Sequence, residues 1–201
     1  MCPGGTAGGT VAATDPTVAL HELMLVPLAP GAKHPGNVLL RVRIAGRTPV
    51  VVPAEAGEAT HAVVCAVTDR RIGGLPVPDL LMPGTAAAFI KTTHERYRAS
   101  SGRMFGKDVT MMFCDEPMIL NSGAGLPFSA YLSKEFHREH GYRLEDAKLF
   151  SLCFEQPDSP EVRFDFWRTV NRLFNDNFMK PLHDWCGRNN LLFTGHLMEH
   201  E

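Results

Sequence analysis

The chain has 201 residues, with 20 Lys+Arg against 22 Asp+Glu, a net charge of −2 and 44% hydrophobic residues. That apolar content excludes a disordered tail, which lacks the residues to build a core. The charge is near balance and no Lys/Arg run exceeds two residues, so the basic surface that nucleic acid demands is missing and no nucleic acid is expected as a partner.

Residues 1–17 are rich in Gly, Thr and Ala without periodicity and are expected to be a flexible lead-in. Residues 18–78 have β texture. The runs VALHELMLV, VLLRVRIAG, TPVVVPA and HAVVCAVT are short, rich in β-branched residues and separated by Pro/Gly pairs, which predicts a small antiparallel sheet. From residue 79 to 201 the texture alternates between helix and strand. A first helix is expected between Pro83 and Gly106, with Ala87, Ile90, His94 and Tyr97 at helical spacing. KDVTMMFCDEP then reads as a nearly continuous apolar strand, the kind covered on both faces in a parallel sheet. A short helix is expected over residues 131–140, stopped by Gly141. The next begins at Asp158-Ser159-Pro160-Glu161, a capping residue followed by proline and an acid in the first turn, and runs to about Gly187. LLFTGHLMEHE is a second apolar strand. This order is that of βα repeats. At about 31 residues per βα unit the stretch holds roughly four units, so it predicts an open sheet or part of a (β/α)₈ barrel.

Five cysteines, Cys2, Cys65, Cys114, Cys153 and Cys186, are odd in number and form no CxxC pair, which argues against a disulfide framework and a structural zinc site. The N-terminus has no basic segment leading into an apolar one, and no window approaches 18 continuous apolar residues, so neither an export signal nor a membrane span is expected. No cofactor and no metal is called for.

Chemistry concentrates at two strand ends. Phe113-Cys114-Asp115-Glu116-Pro117 puts two acids at the end where α/β folds open their sites, although adjacent strand residues face opposite ways and acids there also serve as solvated turn residues. Thr194-Gly195-His196-Leu197-Met198-Glu199-His200 is the second. Its HxxxH spacing would join two imidazoles on a helix, but on a strand positions i and i+4 lie about 13 Å apart, too far for one ion. His94 reads as packed and hydrogen-bonded, with Glu95 and Arg96 as surface charge. Arg163 and Asp165 read as helix ion pairs, and Trp167 and Trp185 as core. Neither a Gly-rich phosphate loop nor a GxSxG elbow occurs.

The blocks DLLMPGTAAAFIKTTHERY, FGKDVTMMFCDEP, LSKEFHREHGYRL and VRFDFWRTVNRLFNDNFMKPLHDWCGRNNLLFTGHLMEHE, in this order and spacing, resemble the catalytic barrel of large bacterial glycoside hydrolases of the α-L-rhamnosidase-like group. The resemblance covers residues 79–201. It implies a partial (β/α)₈ barrel with an N-terminal β-rich segment, and a carbohydrate substrate bound at the strand ends. It further implies Glu116 as general acid or base, Asp115 as a substrate-binding neighbour, Glu199 as a second strand-end catalytic acid and His196 as a sugar-hydroxyl contact. Cys114 departs from the small polar residue expected before the acids. The expected function is glycoside hydrolysis by paired carboxylates. The alternative is a non-catalytic carbohydrate-binding or scaffold barrel fragment, whose unpaired sheet edges would favour self-association.

Overall fold

The computed structural model describes residues 10–11, 18–26, 40–46, 50–51, 61–68, 71–72, 75–119, 126–144, 148–153 and 155–197. Strand β1 (Thr10–Val11) comes from the expected lead-in. β2 (Val18–Val26), β3 (Leu40–Gly46), β4 (Val50–Val51) and β5 (His61–Thr68) follow, each inside a run that the sequence marks as β. β2 is central in a three-stranded antiparallel sheet of order β3-β2-β5, with Leu23 opposite Val42 on one side and Val64 on the other. The register shifts between Leu20 and Glu22 against both neighbours, a bulge in the central strand. β1 pairs antiparallel with β4. Short strands β6 (Arg71–Ile72) and β7 (Leu75–Pro76) close this part of the chain.

The first helical rod runs without a break through α1 (Thr85–Phe89), a π-turn (Ile90–His94) and α2 (Glu95–Ser101). Its wide turn puts Ala86 and His94 on the buried face, whereas Ala87 and Tyr97, expected inside from ideal helical spacing, are exposed. β8 (Met111–Asp115) follows, then α3 (Ala130–His140), which Gly141 ends in the left-handed conformation with φ 79°. α4 (Lys148–Cys153) was not expected from the sequence. α5 (Ser159–Phe174) passes through a second π-turn (Asn175–Met179) into α6 (Lys180–Arg188). Pro181 sits one residue into α6 and cannot donate to the carbonyl four residues back, so the turn before it opens. The Asp158 carboxylate pairs with Lys148 and accepts the Ser151 hydroxyl at 2.7 Å, tying α4 to the start of α5. β9 (Leu192–His196) is the last element described.

The chain forms two compact units, Met1–Arg71 with Phe136–Asp165, and Ile72–Glu135 with Phe166–Glu201. In the first, Asp165 accepts the Tyr142 hydroxyl at 2.9 Å and lies 3.4 Å from His140 Nδ1, while Arg163 reaches Glu155 at 2.9 Å and the Leu152 carbonyl. Both charges are structural, each held by partners distant in sequence. In the second unit, Trp185 and Cys186 of α6 pack with Phe105 and Leu191, and Met112 and Phe193 bring the inner face of β8 and β9 against them. The Trp185 indole donates to Glu95 at 2.7 Å, so Glu95 anchors a core ring and is more than surface charge. Trp167, expected in the core, remains 39% exposed.

The expected partial (β/α)₈ barrel is not what these residues form. β8 and β9 make a two-stranded parallel sheet in register from Met111↔Leu192 to Asp115↔His196, and helices dominate the rest of residues 79–197. A barrel strand buries both faces. Here only the face toward α6 is covered, and Met111 and Phe113 on the other are 50% and 56% exposed. The apolar run that suggested a doubly covered strand therefore carries one covered face. No helix among the described residues is long and apolar enough to cross a membrane.

Candidate functional site

The site is assembled by the β8–β9 ladder. Parallel pairing in register puts Asp115 directly opposite His196 at the carboxyl ends of both strands, although 80 positions of sequence separate them. Their outward side chains meet, with His196 Nε2 3.3 Å from Asp115 Oδ1. The His196 ring also stands edge-on to Phe113, centroids 5.5 Å apart, and its Nδ1 lies 3.2 Å from the Leu197 carbonyl.

Glu116 follows immediately. Its backbone N–H donates to the His196 carbonyl at 3.2 Å, which extends the ladder by one bond. Its φ is 41°, in the left-handed region that a residue with a side chain occupies at a cost. That twist breaks strand alternation. Asp115 and Glu116, expected to face opposite ways, therefore converge: a carboxylate oxygen of each and a nitrogen of His196 all lie within 4.8 Å of one another. One divalent cation could be held by three such groups, and equally the trio could bind a hydroxyl-rich ligand by donating and accepting hydrogen bonds at once. All three residues are exposed.

The structure thus brings together three of the four site residues read from the sequence, Asp115, Glu116 and His196. The fourth, Glu199, lies outside the described residues, as does His200. His94 is buried as expected, but its Nδ1 has no hydrogen-bond partner among the described residues. It packs edge-on to Trp185 at 4.9 Å and Phe89 at 5.4 Å, and burial lowers its basicity, which the neighbouring Glu95 partly restores.

Sequence reasoning missed a cleft of about 240 Å³ beside His196, lined among others by Cys114, Met179, Phe193 and Leu197. A signal for it exists in hindsight. Pro181 within an otherwise regular apolar stripe marks the helix irregularity that places Met179 there. Burial pushes the Cys114 thiol up, and the adjacent Asp115 charge adds to the shift, so this cysteine is a neutral lining group. No family model, curated protein or solved structure matches the chain.

Proposed function

We propose that the chain carries a carbohydrate-processing site that hydrolyses glycosides, with Glu116 as general acid, Asp115 positioning the sugar or the acid, and His196 bonding a sugar hydroxyl. The observation that supports it is the convergence of Asp115, Glu116 and His196 at the carboxyl ends of two parallel strands. Glycosidic cleavage needs a proton donor at the leaving oxygen and a second carboxylate across the bond. Glu199, three residues beyond His196, is the candidate for that second role. A deoxyhexose glycoside is the substrate that the resemblance to the α-L-rhamnosidase-like group suggests.

One observation favours a second reading, carbohydrate binding without cleavage. The Asp115 and His196 side chains are 74% and 52% exposed, whereas charge stabilisation is strongest where water is excluded. A panel of chromogenic glycosides, rhamnosides first, separates the two. Release of phenol by the wild-type chain that is abolished in Glu199→Gln supports the enzyme. Saturable sugar binding in calorimetry with no release supports the binder, and neither result removes carbohydrate from the reading.

A further inference from the structure

The cleft that His196 borders has a chemistry opposite to that of the Asp115, Glu116 and His196 trio. Its lining includes Cys114 and Phe193 from the covered face of the β8–β9 sheet, Met179 at the end of the π-turn, and Pro117 and Leu197. None of these five side chains carries a charge. His196 borders the same space and also holds Asp115, so polar and apolar regions share one wall.

We propose that this cleft binds a single apolar ring, so that the ligand is an amphipathic glycoside whose aglycone enters the cleft while its hydroxyls meet Asp115, Glu116 and His196. This rests on the carbohydrate reading for the polar half of the ligand alone. Small-molecule sites are concave and mostly apolar with a few convergent polar groups, which is the arrangement here. An apolar cavity of about 150 Å³ takes benzene, so about 240 Å³ has room for one substituted ring. Met179 suits a variable aglycone because its unbranched thioether re-packs and makes favourable contacts with ring edges. The wall is built for this place by the π-turn, a distortion found frequently at functional sites.

The test uses benzyl alcohol as the ring alone and the Cys114 thiol as the reporter. Iodoacetamide modification of Cys114 is followed by peptide mass spectrometry in the 201-residue chain, with the fully buried Cys186 as internal reference. Benzyl alcohol at twice its dissociation constant leaves about one third of the sites empty, so Cys114 modification should slow about threefold. Met179→Trp fills the cleft and should abolish protection, while Met179→Leu keeps the apolar wall and should retain it. Circular dichroism confirms that both variants are folded. A Cys114 rate indifferent to benzyl alcohol, or equal protection in folded Met179→Trp, overturns the proposal. Turnover is read separately by comparing benzyl with methyl glycosides. Protection without turnover of either keeps the cleft and removes the hydrolase, whereas turnover of both at the same KM without protection keeps the hydrolase and removes the cleft.

Discussion

Gly195 lies so close to Cys114 that a Cβ at position 195 would sit 2.1 Å from the Cys114 carbonyl oxygen. The two residues face each other in the β8–β9 ladder, one step before the Asp115↔His196 pair, and Gly195 has φ 152°, a backbone angle that side chains rarely adopt. The site residues therefore meet across a contact that only glycine permits. Gly195→Ala should cost about 3 kcal/mol in urea unfolding, because both the clash and the strained angle must be relieved by moving the strands apart. Gly187 is the control. It lies in α6 with open space around its missing Cβ, so Gly187→Ala should stabilise by about 0.5–1 kcal/mol. Equal responses at the two positions would show that the close approach is absent in solution.

Glu116 combines a proposed chemical role with a backbone cost. Glu116→Gln keeps its size and removes the titratable proton, so turnover of a natural glycoside should fall by about 10² to 10⁴, the usual contribution of general acid catalysis. A substrate with an activated phenol as leaving group needs little protonation and should be largely spared. Asp115→Asn should cost less on both substrates. Equal losses on the two substrates in Glu116→Gln would reassign the residue to water activation or nucleophilic attack, and full activity would remove it from the mechanism.

The same residue gives a stability test independent of any substrate. At φ 41°, Glu116 bears a left-handed penalty of roughly 1 kcal/mol, which glycine does not. Glu116→Gly should therefore lose catalysis while keeping or slightly raising the urea midpoint. A drop of about 1 kcal/mol or more would mean that the Glu116 side chain holds the strand end together, which would make it structural.

His94 ties stability to pH. Its basicity in the folded state is depressed, chiefly by burial among Phe89 and Trp185, so the folded chain binds fewer protons there than the unfolded chain, whose imidazole titrates near 6.5. The contribution is complete above about pH 7 and is lost as pH falls through roughly 6.5 toward the lower folded value. His94→Phe preserves the aromatic contacts and removes the titration together with a buried Nδ1 that has no partner among the described residues, so it should flatten urea midpoints between pH 7.5 and 5.5. A wild-type midpoint already flat over that range would contradict the burial of a neutral imidazole.

Asp158 acts in a lower window. The hydrogen bonds from Lys148 and Ser151 hold its carboxyl below the usual carboxylate range, so its contribution is present above about pH 4 and disappears as pH falls through the folded value. Asp158→Asn should reduce the acid sensitivity below pH 4 and leave the His94 window unchanged. Coincident loss of both windows in this variant would show that α4 and the start of α5 do not unfold independently of the second unit.

Local chemistry made much of this chain legible before any coordinates. β-branched runs between Pro/Gly pairs located β2, β3 and β5, because strand formation there follows from short-range sterics and turn residues. Gly141 and the Asp158-Ser159-Pro160-Glu161 start likewise marked the end of α3 and the beginning of α5. Asp115, Glu116 and His196 were recognisable as strand-end polar residues. Their mutual distance was not, because it depends on a parallel ladder joining positions 81 apart and on the left-handed twist at Glu116, neither of which has a local sequence signature. The barrel expectation failed for a related reason. An apolar run such as Thr110-Met111-Met112-Phe113-Cys114 states that a strand can be covered on both faces, but only tertiary packing decides whether it is, and here α6 covers one face while Met111 and Phe113 stay exposed. Pro181 marks the helix irregularity beside the cleft, but the cleft itself is decided by tertiary structure, because Met179 and the sheet face that line it meet only when α6 packs on β9.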